Sequence, residues 1–466
     1  MTERCDICVV GAGPAGTVFA ARMAQLGHDV CLIERRVAPR PRTAESLAPG
    51  IWPLLEAVGA RAPVEAARFA PNRRWSVRWE TEAAERREAR GEAGLVVDRN
   101  RFDAVLLAVA RAAGVRILRP AVLRRRRYED GLWQMAVAAD GREVALCAML
   151  LADASGRAAA LRGHRRATAA ATIALHAKWR GADLAREPQI VADAHGWLWG
   201  LPLPGALYTT MAFVDATTLR KDEPEALLRR MISQSGLIER AADAELATPV
   251  RAADATAYLD SDTIGASYIK LGEAALALDP LSSTGVQKSM HSALAGAIAA
   301  HTVLKRPELA ETARAFYRDL LIEACERHRR WAGSYYGMAA HRHDTPFWLL
   351  RAADEEARAA AAIPGAGLRG RTPDFMVRLS PETAIVDTPC IVGEFIGLRP
   401  ALRHPTLDRP VAFLGGHELA PLIGEIDGRI RLGELMRTWP ASVPLSARPA
   451  IADWLLRHEV VVPANA

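Results

Sequence analysis

Three glycines near the start of the chain have the spacing of a loop that binds the phosphates of a dinucleotide. Gly11, Gly13 and Gly16 follow an apolar strand and precede a helix. The first glycine permits a tight turn, the second lets backbone approach a pyrophosphate, and the third lets the helix pack against the strand. The start of the helix, expected near Thr17, then faces the phosphates with free N–H groups and the positive end of its dipole.

An acidic residue stands where dinucleotide-binding proteins hold the adenosine ribose. Residues 29–33 form a second apolar strand, which ends in Glu34 and is followed by Arg35. A carboxylate there accepts hydrogen bonds from the ribose hydroxyls. A glycine pattern alone is weak, but strand, turn, helix, strand and acid all occur in the required order. These residues predict a dinucleotide site and leave open whether the dinucleotide is FAD or NAD.

Two later turns carry residues suited to the same ligand. An apolar strand near residues 143–151 runs into Asp153 and a turn of small residues, which returns the chain to the dinucleotide fold. The loop that contains Asp279 and Pro280 ends at Gly285, which opens a helix of small and apolar residues. The N-terminus of that helix is suited to an anionic ring system or a phosphate.

The composition is that of a large globular chain with a modest positive charge. Its 466 residues are 50% hydrophobic, its net charge is +6, and its length predicts two or three domains. The four arginines at 124–127 lack interleaved aromatic residues and predict a solvated hairpin edge, not a nucleic-acid site. An early first strand, scattered cysteines and the lack of a long apolar run predict a cytoplasmic protein with no membrane partner and no metal site.

The order of elements predicts an α/β fold. We expect a Rossmann-type dinucleotide-binding domain at residues 1–165 and 262–375, with a helical extension and some strands of a substrate sheet near 70–97. This domain is interleaved with an antiparallel-sheet substrate domain at 166–261. The second sheet is expected to form one wall of a substrate cavity.

A small C-terminal α+β module is expected at residues 376–466, after a composition shift at 365–373 that predicts a linker. Its order of elements looks like a winged helix of the kind that peptide-modifying enzymes use to hold a precursor peptide by strand addition. A lid or a dimerisation module is an equal alternative, and DNA binding is not expected because no basic base-reading helix is present. The predicted elements are strands at 384–398, 409–414 and 459–462 and helices at 417–424, 432–438 and 447–458.

Three separated motifs together resemble the superfamily of flavoprotein monooxygenases and flavin-dependent halogenases. The resemblance covers roughly residues 1–360 and implies FAD rather than NAD, because NAD dehydrogenases lack the second and third motifs. The motifs are Gly11-x-Gly13-x-x-Gly16 with Glu34, then Arg99-x-x-Phe102-Asp103, and then Gly272-Glu273-Ala274-Ala275 followed by Asp279-Pro280-x-x-Ser283-x-Gly285.

The resemblance also implies roles for single residues. Glu34 would hold the FAD ribose, Arg99 would lie along the diphosphate or adenosine side, and the turn at 280–285 would sit beside the isoalloxazine ring. Glu273 departs from the family, which usually has aspartate there. The cofactor-binding residues implied are Gly11, Gly13, Pro14, Ala15, Gly16, Glu34, Arg35, Arg99, Asp153, Gly272, Glu273, Asp279, Pro280, Ser283, Thr284, Gly285 and Val286.

Within the superfamily, residues 45–47 and the motif Trp197-x-Trp199-x-Leu201-Pro202 look like the halogenase branch, whose signature has isoleucine in place of Leu201. Trp197 and Trp199 project to the same face of a strand, either as walls of an aromatic pocket or as plain core. The expected substrate-pocket residues are Ser46, Trp197, Trp199 and Pro280.

Halogenases also need a lysine that relays hypochlorous acid from the flavin to the substrate. Residues 69–79, where that lysine should occur, contain none. An arginine stays protonated and cannot easily replace a reactive amine, so hydroxylation is preferred to halogenation. A flavin-dependent halogenase and a non-catalytic flavin-binding maturation chaperone are the alternatives.

The chain is also similar to the flavoproteins of tryptophylquinone biogenesis, such as those that serve quinohemoprotein amine dehydrogenase. These hydroxylate a tryptophan inside an unprocessed protein subunit, have an added C-terminal domain and lack the relay lysine. The resemblance implies an FAD-dependent monooxygenase whose partner is a protein or peptide that carries tryptophan, held in part by residues 380–466. NADH or NADPH would supply the electrons, directly or through a reductase. The catalytic acid or base and the oligomeric state stay open.

Overall fold

The computed structural model describes residues 2–36, 44–181, 187–203, 205–219, 223–237, 244–352, 368, 374–424 and 426–464. The linker expected at 365–373 lies outside these residues, apart from Leu368. Within the described ranges, no helix is both long enough and apolar enough to cross a lipid bilayer.

The helices and strands follow one another in three stretches of chain. The first contains β1 (Glu3–Val10), α1 (Pro14–Gln25), β2 (Val30–Ile33), β3 (Ala44–Leu47), α2 (Ile51–Glu56), α3 (Arg61–Ala66), β4 (Ala70–Asn72), β5 (Arg74–Arg78), β6 (Glu85–Glu88), β7 (Gly94–Asp98), α4 (Arg99–Ala112), β8 (Arg116–Leu118), β9 (Ala121–Glu129), β10 (Leu132–Ala139) and β11 (Arg142–Asp153). The second contains β12 (Arg165–Ala167), β13 (Thr172–Arg180), β14 (Gln189–Asp193), β15 (Gly196–Leu203), β16 (Leu207–Asp215), α5 (Ala216–Leu219), α6 (Pro224–Ser235), β17 (Glu245–Leu246), β18 (Arg251–Asp254), β19 (Tyr258–Asp260), β20 (Tyr268–Lys270), β21 (Leu276–Ala277), α7 (Gly285–Lys305), α8 (Ala310–Ala340) and α9 (Pro346–Leu349). The third contains β22 (Met376–Leu379), β23 (Ala384–Val392), β24 (Phe395–Arg403), β25 (Phe413–Leu414), β26 (His417–Glu418), α10 (Ala420–Ile423), β27 (Arg429–Arg431), α11 (Leu432–Thr438), α12 (Arg448–Arg457) and β28 (Val461–Pro463).

The first sheet provides the Rossmann-type core. Its strand order is β8-β2-β1-β11-β10-β9, with β20 beside the end of β11. β1 is parallel to β2 and β11, and β2 is parallel to β8, so the carboxyl ends of these strands meet at one edge. Ile7 belongs to the same core as Phe19 of α1 and Met290 of α7, whereas Cys8 packs in a second core on the other face. The predicted α/β fold is confirmed.

The run of four arginines lies on β9, the last strand of this sheet. Residues 124–127 are all exposed there, as expected for a solvated hairpin edge. The six cysteines of the chain are free thiols in this structure.

The second sheet has the order β17-β13-β16-β15-β14-β5-β6, with β18 also paired to β13. It is antiparallel except where β14 meets β5. α6 covers one face with Leu227, Leu228 and Met231. The other face carries aromatic residues that pack against α8 and α9. β5 and β6 come from residues 74–88 and join this sheet beside β14, whereas β4 and β7 pair with each other in a separate three-stranded sheet that also contains β3.

The C-terminal part consists of a sheet in the order β27-β22-β28, the hairpin β23-β24, and the helices α10, α11 and α12 around an apolar core. The strand predicted at 384–398 is wrong in one respect: Gly393, at φ +62°, turns the chain there and makes a hairpin instead. The helix predicted at 417–424 begins as the short strand β26 before α10. The backbone N–H of Ile396 donates to Thr302 Oγ1 over 2.9 Å, which holds the hairpin on α7.

Candidate active site

A cavity of about 550 Å³ lies at the carboxyl ends of the parallel strands, beside the starts of α1, α4 and α7. We refer to it as the dinucleotide cavity. Such a crevice at the carboxyl edge of a parallel sheet is where doubly wound folds bind nucleotides. Its walls include Val10, Gly11, Ala12, Gly13, Pro14, Ala15, Ile33, Glu34, Arg35, Arg36, Glu45, Arg99, Asn100, Asp103, Arg119, Arg126, Ala154, Ser155, Glu273, Gly285, Val286 and Ser289.

The glycine loop has the geometry that a pyrophosphate requires. Gly11 has φ +106°, and a Cβ there would lie 2.5 Å from the carbonyl oxygen of Ala154. A Cβ on Gly16 would lie 1.9 Å from the carbonyl oxygen of Gly11, so only glycine lets α1 pack this closely. A Cβ on Gly13 would meet no atom within 4 Å. A side chain at Gly13 would therefore fill the cavity itself, which fits a bound diphosphate at this point.

Glu34 is fixed at the end of β2 by two backbone donors. Its carboxylate accepts hydrogen bonds from the N–H groups of Ala12, at 2.9 Å, and Arg36, at 3.0 Å. Each carboxylate oxygen has a further lone pair, and the residue lines the dinucleotide cavity. The group therefore fits the ribose hydroxyls of a dinucleotide.

Arg99 begins α4 and reaches the cavity wall as part of an ion-pair cluster. Asp98 caps the helix by accepting from the backbone N–H of Asn100 at 3.0 Å. The Arg99 guanidinium donates to both carboxylate oxygens of Asp103, at 3.0 and 3.3 Å, and also pairs with Glu45. Its side chain is 11% exposed. The two carboxylates hold the guanidinium in place and together fully offset its charge.

A turn at residues 279–285 separates the dinucleotide cavity from a second one. Asp279 Oδ1 accepts from the backbone N–H of Leu281 at 3.0 Å and from the Tyr336 hydroxyl at 2.8 Å. Burial raises the pKa of this carboxyl above its ordinary value. The turn passes through Ser283 at φ +50° and leads into α7. Gly285 lines the dinucleotide cavity, whereas Ser283 lines the other, so one short turn contacts both.

The second cavity, of about 320 Å³, is aromatic, and we call it the aromatic cavity. β5 contributes alternate residues of one face, α8 contributes residues on successive turns, and β15 contributes one tryptophan. Its lining is Ser46, Ala48, Pro49, Asn72, Trp75, Val77, Trp79, Glu80, Thr81, Ala83, Glu85, Arg87, Pro188, Ile190, Trp199, Leu281, Ser282, Ser283, Trp331, Tyr335 and Met338.

Several aromatic walls of this cavity are held in fixed orientations. Trp79 Nε1 donates to the carbonyl oxygen of Tyr335 over 2.8 Å, which joins the hairpin β5-β6 to α8. The Tyr335 ring lies 4.7 Å from that of Trp331, measured between centroids. Trp79 also meets Trp348 edge to face at 5.3 Å. Such rigid apolar walls suit a flat aromatic guest.

Of the residues expected at the cofactor, ten line the dinucleotide cavity and seven do not. Asp153 lies behind the cavity: its carboxylate accepts from Ser155 N–H at 2.9 Å and from Leu161 N–H at 2.6 Å, and so holds the turn after β11. Gly272 has φ +54° and lies close to Ala15. A Cβ added at Gly272 would be 2.9 Å from the Cβ of Ala15, so glycine allows the two segments to pack closely. The lining residues are Gly11, Gly13, Pro14, Ala15, Glu34, Arg35, Arg99, Glu273, Gly285 and Val286, and the others are Gly16, Asp153, Gly272, Asp279, Pro280, Ser283 and Thr284.

The expected substrate residues divide in the same way. Ser46 and Trp199 line the aromatic cavity. Trp197 is core, 1% exposed and stacked on Phe213 with ring centroids 4.0 Å apart. Pro280 is part of the separating turn and lines neither cavity.

Sequence reasoning missed most of the aromatic walls. Trp75 and Trp79 stand at alternate positions around Val77, which is the signal of one strand face. Trp331 and Tyr335 are one helical turn apart on α8. Each pair was recognisable, but nothing in the sequence indicates that the strand and the helix meet.

Two kinds of functional group, a lysine in the cavity walls and a metal site, are not found among the described residues. No lysine lines the described surface of either cavity, and Arg87 is the cation in the wall of the aromatic cavity. No three histidine, cysteine, aspartate or glutamate side chains of the described residues come together as a metal site.

The fold and the two adjoining cavities define a flavin-dependent oxidoreductase of the halogenase type. The sequence profile of the tryptophan halogenase family matches residues 66–363, well over half of the chain, and a profile of NAD(P)-binding Rossmann-like domains matches residues 9–60. The chain belongs to the tryptophan halogenase family, and FAD is the cofactor that the residues of the dinucleotide cavity fit.

Individual relatives include both halogenases and a hydroxylase. The chain is 28% identical over 378 residues to the tryptophan 2-halogenase of Chondromyces crocatus, which covers 74% of this chain and 70% of that protein. The crystal structure of the flavin-dependent halogenase CmlS has the same fold, with a TM-score of 0.81, 18% identity, and coverage of 100% of this chain and 97% of that one. The peptidyl tryptophan dihydroxylase QhpG, described as essential for tryptophylquinone cofactor biogenesis, has a TM-score of 0.74 and 25% identity over 98% of this chain and 99% of that one.

Proposed function

We propose that this protein is an FAD-dependent monooxygenase that hydroxylates a tryptophan side chain of a protein or peptide precursor in tryptophylquinone biogenesis. The observation that carries the proposal is an aromatic cavity that adjoins the dinucleotide cavity and has no lysine in its described walls. The similarity to QhpG, which extends over nearly the whole of both chains, supports the same reaction and the same class of substrate.

The missing lysine argues for hydroxylation rather than halogenation. In the halogenase branch an amine relays hypochlorous acid, and its nitrogen must react or share a proton. In the wall of this cavity the cation is Arg87, which is paired with Glu85 at 3.0 Å. A guanidinium keeps its proton at any physiological pH and cannot act as that amine.

The protein's own part in the reaction is to hold the ring and exclude water. Reduced FAD, when bound, supplies the activation of dioxygen. Trp75, Trp79, Trp199 and Trp331 offer faces and edges for an indole. α7 begins at Gly285 in the wall of the dinucleotide cavity, so the positive end of its dipole favours negative charge there.

We further propose that the C-terminal module helps to hold the precursor. Arg330 pairs with Asp408 at 3.0 Å, and Arg409 pairs with Glu323 at 3.1 Å. Both pairs join the module to α8, the helix whose Trp331 lines the aromatic cavity. The division into an FAD-binding unit at 1–165 and 262–375, a substrate sheet at 166–261 and a partner-binding module at 376–466 remains part of this proposal, as do the cytoplasmic location and the source of electrons, NADH or NADPH.

The test is a reaction of purified protein with FAD, NADH and a flavin reductase, under isotope-labelled dioxygen, on a candidate precursor. We expect labelled oxygen in the tryptophan of the product by peptide mass spectrometry, at a rate that does not depend on halide. Unlabelled product, or no product with any quinone-forming subunit, would overturn the proposal.

Halogenation is the second candidate, and the family match at residues 66–363 together with the 28% identical tryptophan 2-halogenase favours it. The same reaction mixture separates the two. A mass increase that appears only with chloride or bromide, and carries the isotope pattern of the halogen, would establish halogenation in place of hydroxylation.

A further inference from the structure

The hairpin β5-β6 forms a wall of the aromatic cavity and also ends its sheet. Trp75 and Val77 of β5 and Glu85 and Arg87 of β6 line the cavity. Among the described residues β6 pairs with β5 alone, so its other edge carries no strand. The free edge of β6 therefore lies at the wall of the aromatic cavity.

The backbone hydrogen bonds show which groups of β6 point outward. The N–H of Ala89 donates to the carbonyl oxygen of Arg73 at 2.8 Å, and the N–H of Ser76 donates away from β6, to Pro188 at 2.9 Å. Since bonded and non-bonded pairs alternate in an antiparallel ladder, Arg87 bonds to β5 and Arg86 does not. The N–H and C=O of Arg86 point out of the sheet, and those of Glu88 do the same.

We propose that the substrate is an extended peptide segment that adds to β6 as a further strand and places its aromatic side chain in the aromatic cavity. This inference rests on the proposed function and names how its substrate is held. An added strand would lie about 4.8 Å from β6, with its backbone bonded to Arg86 and Glu88.

The register of β6 directs the side chain correctly. Arg87 pairs with Trp75, and Glu85 pairs with Val77, and all four lie on the cavity face of the hairpin. Directly opposed residues of neighbouring strands share a face. A substrate residue opposite Arg87 or Glu85 therefore projects its side chain toward the aromatic cavity, while its two neighbours project away.

The charges of the hairpin and its contacts with the rest of the protein favour pairing of β6 with a peptide strand. Charged side chains usually protect an edge strand from pairing. Three of the four charged side chains on β6 already have partners, because Arg87 pairs with Glu85 at 3.0 Å and Arg86 pairs with Glu187 at 3.1 Å. The loop before β6 is held to the turn after α8 by Arg342, which donates to the carbonyl oxygen of Thr81 at 3.2 Å. The edge is thus pre-organised and close to neutral.

The test compares R86P with R86A in the FAD-loaded, full-length protein. Both variants remove the guanidinium, but only proline removes the outward N–H, and proline is tolerated on a free edge. The probe is a fluorescent peptide of about nine residues, alternating threonine and valine around one tryptophan. We expect R86P to bind it about five- to tenfold more weakly than R86A, as for one lost backbone hydrogen bond.

A second measurement keeps the inference falsifiable if R86P does not fold. The same peptide, with N-methyl groups that block one backbone edge, should bind the unaltered protein as weakly as N-acetyl-tryptophanamide does. Equal affinity of the methylated and unmethylated peptides, equal affinity of R86P and R86A, or equal affinity of the peptide and N-acetyl-tryptophanamide would overturn the inference. A change in oligomer mass in R86P without a change in peptide binding would also overturn it, in favour of pairing between two copies of the chain. If the peptide binds by this edge but no quinone-forming subunit is hydroxylated, the proposed reaction is wrong and the docking mode still holds.

Discussion

Nε2 of His28 lies 2.8 Å from Nδ1 of His301, although 273 residues separate them in the chain. Both side chains are buried, and the His301 ring also lies 4.7 Å from the ring of Phe395 on the C-terminal hairpin. One neutral imidazole must donate and the other accept, because two imidazolium ions have no lone pair to share. The hydrogen bond therefore persists only while at least one ring is neutral, and through it the pair joins the loop after α1, the end of α7 and the C-terminal module.

The first prediction is that acid loosens this junction. Burial, followed by the proximity of His301 and Lys305, lowers the pKa of His28 to about 4 against the weaker opposing effect of Asp6, and burial also lowers the pKa of His301. The unfolded chain binds these protons near pH 6.5, so stability is full above that pH and is lost as pH falls toward about 4. We expect the free energy of unfolding to fall by about 1 kcal/mol per pH unit in this window.

Urea denaturation between about pH 7 and pH 5 measures this slope. H28Q should flatten it, whereas H164Q, at an exposed position, should leave it unchanged. A slope that is the same in H28Q and in the unaltered protein would assign the acid sensitivity to other groups.

The second prediction separates cofactor binding from folding within one glycine loop. Gly13 has φ −75° and open space at its Cβ position, so G13V should fold normally and place its side chain where the diphosphate would lie. We expect FAD affinity to fall by about 100-fold, or about 3 kcal/mol, with little change in melting temperature. G16V should instead cost about 3 kcal/mol of stability, because its Cβ would overlap the carbonyl oxygen of Gly11. Flavin fluorescence titration and thermal melts measure the two effects, and unimpaired FAD binding by G13V would contradict the assignment of this loop.

The third prediction concerns two tryptophans with different roles. Trp331 is 38% exposed at the aromatic cavity, so W331A should weaken binding of the aromatic substrate while changing stability by about 1 kcal/mol or less. Trp197 stacks on Phe213 outside the cavity, so W197A should cost about 3–5 kcal/mol of stability. Substrate titration and urea denaturation of both variants test this; an unchanged KM in W331A would remove Trp331 from the binding site.

How far the sequence predicts this molecule depends on how local each feature is. The glycine loop, Glu34 and the start of α7 were predictable because each is a short motif with its own backbone requirement. The aromatic cavity was not, because Trp79, Trp199 and Trp331 come from three elements that only the tertiary fold brings together. The hairpin at 384–403 was mistaken for one strand because its alternation continues across Gly393, whose positive φ no periodicity reveals.

Asp153 is a further residue whose role could not be predicted from local sequence alone. Its place after an apolar strand is typical of a ligand-binding carboxylate at the edge of a parallel sheet. In the folded chain it is fully buried behind the cavity wall, where its two oxygens accept hydrogen bonds from N–H groups of the following loop. A sequence identifies the end of the strand, but not which donors the next loop brings back to it.

The fourth prediction concerns a fully buried ion pair behind the cofactor region. Lys270 Nζ lies 3.0 Å from Asp260 Oδ2, both side chains are 0% exposed, and Asp262 lies 3.8 Å from the same nitrogen. A Cβ on Gly163 would lie 2.0 Å from Nζ, so the chain packs directly over the pair and admits no larger residue. K270M should therefore cost about 3–5 kcal/mol, because it leaves the Asp260 carboxylate buried without its partner.

The double variant K270M/D260N tests whether the charge or the shape of this site matters. Asp260 Oδ1 accepts a hydrogen bond from the N–H of Asp262 at 2.9 Å, and the amide oxygen introduced by D260N would still accept it without carrying a charge. We expect the double variant to recover most of the loss, to within about 1 kcal/mol of the unaltered protein. The stability difference between K270M and the unaltered protein should also shrink on mild acidification, since protonation of Asp260 removes the buried charge. If the double variant is no more stable than K270M at any pH, the loss comes from the packing of the lysine side chain and not from the unpaired carboxylate.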